Sequence, residues 1–272
     1  MKNLYQKLKK LLSRDELGIL PASLTYYFVL AIIPILTITV LIASSFGITL
    51  DNVASIINNM LPHKISNFVI EIISGKGFDK NVGIFNIIAF LVASNGTYAI
   101  IKTANNLYKV KNIDPIKDRI KSVVILFNII FLLIFLVTVP IFGEKILRLC
   151  QSNDILSGIN DELIIILNLI KWPITFFVIF INIKLIYTIS PSRQIMSKHT
   201  TLGAFITTIL WMLSSVIFGY YLEYFANYDI LYGNLSSIII LMIWLYAVSF
   251  IFVLGMIINT SYYKEEINKI IE

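Results

Sequence analysis

The chain has little of what soluble catalysts are made from. Among its 272 residues there is one cysteine, Cys150, and two histidines, His63 and His199. A single thiol excludes a disulfide within the chain and a metal centre built on several thiolates. Two histidines leave little material for a zinc site. There is no glycine-rich phosphate loop, no HExxH, no GxSxG and no DxD pair. Adjacent acids occur only at Asp15-Glu16, Asp161-Glu162 and Glu265-Glu266, all at the ends of apolar runs where hydrated charge is the ordinary reading. Charge itself is scarce, at 14% of residues, against roughly 25% in an average soluble chain. A soluble domain of this size needs more charge than that to cover its surface.

What fills the space is apolar. Residues of the apolar class make up 57% of the chain and the mean hydropathy is +0.83, which indicates a polytopic membrane protein. The net charge of +6 looks basic enough for nucleic acid, but excess Lys and Arg follows from membrane topology alone. No nucleic-acid partner is expected.

A helix crosses the hydrocarbon core with about 20 apolar residues. The first uncharged run, Leu17 to Leu50, is 34 residues long. It follows Lys2, Lys7, Lys9, Lys10 and Arg14 like a signal-peptide n-region, yet it far exceeds an h-region, so it reads as an uncleaved helix. Five more runs follow, and the spans are placed at about 19–48, 82–101, 122–143, 165–189, 202–222 and 233–262. The fold class is thus an all-α integral membrane protein, a single six-span domain over 1–272. An even number of spans puts both termini on one side. With the amino terminus inside, segments 1–16, 102–121, 184–201 and 264–272 hold 16 of the 22 basic residues and 7 of the 16 acidic ones. Both termini are therefore expected in the cytoplasm.

Between spans one and two, Val53, Ile56, Ile57, Met60 and Leu61, then Ile65, Phe68, Val69, Ile72 and Ile73, follow two amphipathic stripes separated by Pro62. They predict an extracytoplasmic amphipathic helix pair over 51–75, either a cover for the bundle or a lid. His63 falls here and His199 on the opposite side, so the two histidines cannot act together.

Polar residues at membrane depth are the better lead to function, because burying them costs free energy unless they pair or line a wet cavity. Asn95-Gly96-Thr97, Asn128, Asn168, Asn182 and Asn259 fall inside spans. They read either as interhelical hydrogen-bonding glue or as a polar path. Lys171 lies about 12 Å deep if its span begins at Leu163, and snorkels if it begins near Trp172-Pro173. Pro34 removes a hydrogen bond to Leu30 and predicts a kink, with Ser23, Thr25, Tyr26 and Tyr27 making the preceding half polar. Tyr220, Tyr221, Tyr224, Phe225, Tyr228 and Tyr232 surround Glu223 and Asp229, as an aromatic belt or as a site for a cation or lipid amine. Ser215 and Gly219 form a small-xxx-small pair that predicts close helix approach there.

Several stretches together resemble the YihY/BrkB family. They are Ala22 to Pro34 with its aromatic pair, Ala104-Asn-Asn-Leu-Tyr108, and Tyr187-Thr-Ile-Ser-Pro191. Gly203-Ala204 with Trp211, Phe218 and Tyr220-Tyr221 follow, then Tyr228 to Gly233, Trp244-Leu-Tyr246, Gly255 and Asn259. The resemblance implies a six-span protein of the bacterial inner membrane. Members have carried the labels ribonuclease BN and virulence factor, and envelope lipid handling has been suggested for relatives. The ribonuclease label conflicts with the residues here, which offer mainly Lys and Arg on the cytoplasmic face. The Ile/Asn/Lys-rich composition departs from the pattern in a way that an AT-rich genome explains.

The resulting expectation is a non-enzymatic envelope protein, without cofactor or metal, that transports or translocates a lipid-like or small amphiphilic molecule. A scaffold for envelope assembly is the first alternative and an intramembrane enzyme the second. Membrane lipids are the expected partners, with a homo-oligomer or other envelope proteins besides. The expected path residues are Tyr26, Tyr27, Pro34, Asn95, Asn105, Asn106, Tyr108, Lys171, Asn182, Tyr220, Tyr221, Glu223, Tyr228, Asp229 and Asn259. Of these, Asn105, Asn106 and Tyr108 are predicted to fix the connection between spans two and three.

Overall fold

The computed structural model describes residues 15–45, 83–111, 114–152, 160–224 and 232–271, with scattered positions between 51 and 70. Most of the helix pair expected over 51–75, and the site residues Tyr228 and Asp229, lie outside the described residues. So do the side chains of Asn168 and Lys171, although their backbone is helical.

Six long helices carry the described chain: α1 (Glu16–Ser45), α2 (Gly83–Leu107), α3 (Pro115–Ser152), α4 (Asn160–Ile189), α5 (Thr201–Tyr224) and α6 (Ser236–Ile271). No strand occurs among the described residues. The long apolar runs become helices because a backbone without water must satisfy its hydrogen bonds within its own segment. α1 is assigned continuously through Pro21 and Pro34. α3 starts where Pro115 occupies the first turn and the Asp114 carboxylate accepts from the Ile116 and Lys117 amides at 3.1 and 3.3 Å. These bonds hold the exposed Asp114 carboxyl below its usual range.

α2 stops by a left-handed cap. Lys109 sits at φ 52; its amide donates to Asn106 O at 3.1 Å and that of Val110 to Asn105 O at 3.0 Å. That is the paired pattern that closes many helices, with lysine where glycine is usual.

Each helix packs against its neighbours in sequence, and α6 closes back onto α1, so the six form a ring. The α2–α3 and α4–α5 connections lie at the same end, called basal below. One core cluster draws on all six helices, including Leu24, Ile101, Ile125, Ile183, Ala204 and Phe252. The exterior is apolar too: Phe131, Phe177, Ile181, Val216, Ile217 and Met242 are exposed. An outer surface of this kind belongs in lipid. Four described helices are long and apolar enough to cross a membrane, Pro115–Leu136, Trp172–Ile189, Ser197–Glu223 and Ser236–Tyr263, while Glu16–Ile32 is a shorter apolar stretch.

The close helix approach expected at Ser215 and Gly219 occurs elsewhere. Ser215 is exposed and bonds its own helix at Trp211 O, and a Cβ on Gly219 would meet no described atom within 4 Å. The tight crossing is between α5 and α6, where Gly203 faces the Gly255 carbonyl and Gly255 faces Thr207 and Tyr187. A second one joins α1 and α2, where a Cβ on Gly96 would lie 2.6 Å from that of Ala31. Small residues at a crossing let backbones meet only if both helices present them in register.

Candidate functional site

At the basal end, α2 ends, α3 begins and the α4–α5 connection passes between them. Their junction holds a carboxylate. Asp118, one turn into α3, is 2% exposed. Its Oδ2 accepts from Asn105 Nδ2 at 3.0 Å, and its Oδ1 accepts from the Ser192 hydroxyl. Asn105 also donates to Ser192 Oγ at 2.7 Å, and its Oδ1 accepts the Ser192 amide at 2.7 Å. Lys121 completes the junction by donating to Pro191 O at 2.7 Å. Three chain segments are thus locked through one buried charge. A carboxylate taken out of water persists only when its oxygens are hydrogen-bonded, and here both are.

The latch continues inward and sideways. Ser94 and Ser122 hydroxyls pair at 3.1 Å, and Thr97 donates to Ser122 O at 2.8 Å, joining α2 to α3. On the other flank the Tyr263 ring of α6 meets Tyr108 at 5.9 Å and His199 at 5.4 Å between centroids, with the Arg193 guanidinium 5.4 Å away. The Tyr108 hydroxyl is buried and has no hydrogen-bond partner among the described residues. Burial first, and Tyr263 second, pushes its pKa up.

A second hub joins α4, α5 and α6. The Tyr187 hydroxyl donates to Phe252 O at 2.7 Å and lies 2.8 Å from Thr207 Oγ1. Asn259 Oδ1 accepts the Gly203 amide at 2.8 Å, and Trp211 Nε1 donates to Val248 O at 3.0 Å.

Among the amides inside the bundle, Asn182 and Asn259 each use one side-chain atom in a described hydrogen bond. Asn182 Nδ2 donates to Asn128 O at 3.0 Å, which ties α4 to α3. Yet Asn182 Oδ1, Asn128 Nδ2 and Asn259 Nδ2 are buried without a partner among the described residues. The choice between glue and path therefore does not divide these residues. One half of each side-chain amide of Asn182 and Asn259 is glue, and the other half has no partner among the described residues.

The expected site residues separate into groups. Asn105 enters the latch. Asn106 is exposed, and its carbonyl serves the α2 cap. Asn95 is exposed and accepts from Arg119 Nη1 at 2.8 Å. Tyr26 is 62% exposed and meets Tyr27 edge-on at 5.4 Å. Tyr220 and Tyr221, near the other end of α5, are 58% and 40% exposed, and Glu223 is exposed as well. They lie at the end of α5 opposite the α4–α5 connection.

Sequence reading missed Asp118, Ser192 and Tyr187 as partners. Asp118 was counted as loop charge. Its signal is a lone acid among Lys117, Arg119 and Lys121 at a helix start. Among the described residues no group of three or more His, Cys, Asp or Glu is placed to hold a metal ion.

The family model described as virulence factor BrkB matches residues 9–270. A ribonuclease-like protein of Bacillus subtilis (strain 168), YfkH, is 31% identical over 249 residues, covering 90% of this chain and 90% of that protein. A UPF0761 membrane protein of Pseudoalteromonas atlantica is 26% identical over 252 residues, covering 89% and 80%. Another from Vibrio vulnificus (strain YJ016), VV0203, is 27% identical over 262 residues, covering 90% and 77%. No solved structure matches the chain. The chain belongs to the virulence factor BrkB family, as the resemblance implied, and is a membrane protein with several apolar helices.

Proposed function

We propose that this BrkB-family chain moves a lipid-like or small amphiphilic molecule through a six-span bundle in the bacterial inner membrane, with both termini in the cytoplasm and no covalent step catalysed. The observation that carries the reading is the set of buried side-chain amide atoms, Asn128 Nδ2, Asn182 Oδ1 and Asn259 Nδ2, that have no partner among the described residues and come from α3, α4 and α6. Each unpaired buried polar atom costs about 1–3 kcal/mol, a cost offset when water or the polar part of a passing amphiphile supplies the missing partner. In this reading the Asp118 latch is the basal gate, and the exposed tyrosines of α5 mark the far boundary. The excess of Lys and Arg in segments 1–16, 102–121, 184–201 and 264–272 supports a cytoplasmic basal end.

The non-catalytic part rests on Asp118. It is 2% exposed, and its oxygens face Asn105 and Ser192 inside the junction, out of reach of a polynucleotide substrate, where a general base must come within hydrogen-bond distance of the proton it takes. The ribonuclease-like name of the Bacillus relative is therefore not carried over.

A scaffold is the second reading, favoured by the core cluster to which all six helices contribute. Proteoliposomes separate the two. Vesicles carrying a headgroup-labelled fluorescent phospholipid are treated with dithionite, which quenches only the outer leaflet. The wild type should raise the quenched share above that of empty vesicles, and Asn182→Leu should abolish the rise while inserting normally. Vesicles with wild-type protein that behave like empty ones would favour the scaffold.

A further inference from the structure

We propose that the outer face of the α2–α3 pair holds an anionic phospholipid, with its phosphate between Lys102 and Arg119 and its acyl chains along the apolar stripes of the two helices. On α2, Ile88, Leu91, Asn95, Tyr98 and Lys102 recur at spacings of three and four and so share one face. Lys102 Nζ stands 5.0 Å from the Tyr98 ring centroid and the Arg119 guanidinium 5.7 Å from the same centroid. Arg119 is held there by its bond to Asn95 Oδ1 at 2.8 Å. Two cations thus converge on one ring, and neither has an ion pair among the described residues; the one described salt bridge is Lys117–Asp114 at 3.3 Å.

Like charges drawn together without a counterion form a ready place for an anion. Arg119 spends one N–H on Asn95 and keeps the rest of its fork for a phosphate. The apolar part follows directly. Above the cations, away from the basal end, Ile88 and Leu91 of α2 and Val124, Phe127 and Phe131 of α3 are exposed, and Phe90 and Phe127 meet at 6.2 Å to join the two helices. Asn95 lies seven residues before Lys102, about 10 Å deeper along the helix, so the cationic end sits at headgroup level and the stripes at chain level. Free phosphate would use only the cations. A phospholipid uses both parts, and basic sites between spanning helices are a known way to hold acidic headgroups.

This site faces outward from the bundle, so it stands independently of the translocation reading. Purified full-length protein is titrated with phosphatidylglycerol, with phosphatidylcholine and with inorganic phosphate, and bound lipid is read by native mass spectrometry. Phosphatidylglycerol should bind in preference to phosphatidylcholine and resist displacement by inorganic phosphate. Lys102→Gln or Arg119→Gln should each weaken it about fivefold, and the two together roughly thirtyfold. Lys111→Gln, at an exposed position outside the face, should change nothing. An unchanged preference in the double variant, or ready displacement by phosphate, would overturn the proposal. If the double variant does not fold, Lys102→Gln against Lys102→Arg decides. Retention by arginine and loss by glutamine supports the site, and equal behaviour of the two refutes it.

Discussion

Asp118 and Glu223 are both acids near a helix end, and the molecule treats them in opposite ways. Asp118 is 2% exposed with both oxygens occupied, while Glu223 is exposed beside Tyr220 and Tyr221. The difference lies in what the connecting segments deliver. At the basal end α2 and the α4–α5 connection bring Asn105 and Ser192 onto the α3 start, so donors take the place of water around the carboxylate. Glu223 is exposed near the end of α5, where water or headgroups remain available. A charge beside an apolar run is buried only where tertiary structure supplies its hydrogen bonds.

The comparison breaks most visibly at Asp118. Asp118→Ala strands the donors of Asn105 and Ser192, each worth about 1–3 kcal/mol when buried and unpaired. A fall in stability of roughly 2–5 kcal/mol follows, read as lost monodisperse yield and a lower Tm in detergent. A variant with wild-type Tm would show that the latch holds nothing.

Next comes the α5–α6 crossing. Gly255→Ala puts a methyl onto Thr207 and Tyr187, and overpacking of this kind costs about 1–3 kcal/mol. Thermal unfolding measures it directly; Gly219→Ala, with open space around it among the described residues, should leave Tm in place.

The helix cap sharpens the contrast from the stabilising side. Lys109 holds φ 52, and Lys109→Gly relieves a left-handed residue by about 1 kcal/mol. An unchanged or lower Tm would argue that the Lys109 side chain has a role of its own.

The smallest effect belongs to Glu223→Gln, expected within about 0.5 kcal/mol as an exposed replacement. A large loss of stability there would erase the distinction between the two ends.

Much of the fold was legible beforehand because hydrophobic run length speaks directly to helices that lie in lipid. The spans placed at about 122–143 and 202–222 each fall inside one observed helix, and that at 233–262 runs through the short turn Gly233–Leu235 into α6. Asn105 was legible as well, since an amide pair among six basic residues has no purpose as charge. Its partners were not. Ser192 is 87 residues away in sequence, and nothing local distinguishes Asp118 from a hydrated loop acid. The same holds for Ser215 and Gly219: spacing identifies a stripe on one helix, and only the facing helix decides whether that stripe is used.

The sequence by itself determined that this chain is membrane-embedded and helical, and where its main apolar segments run, because those properties follow from local hydropathy and backbone hydrogen bonding. Only the tertiary structure decided which polar groups meet. Asn105 finds Asp118 and Ser192, Gly203 finds Asn259, and Asn182 Oδ1 meets no partner among the described residues, because these pairings join separate segments of the chain and depend on how the ring of six closes.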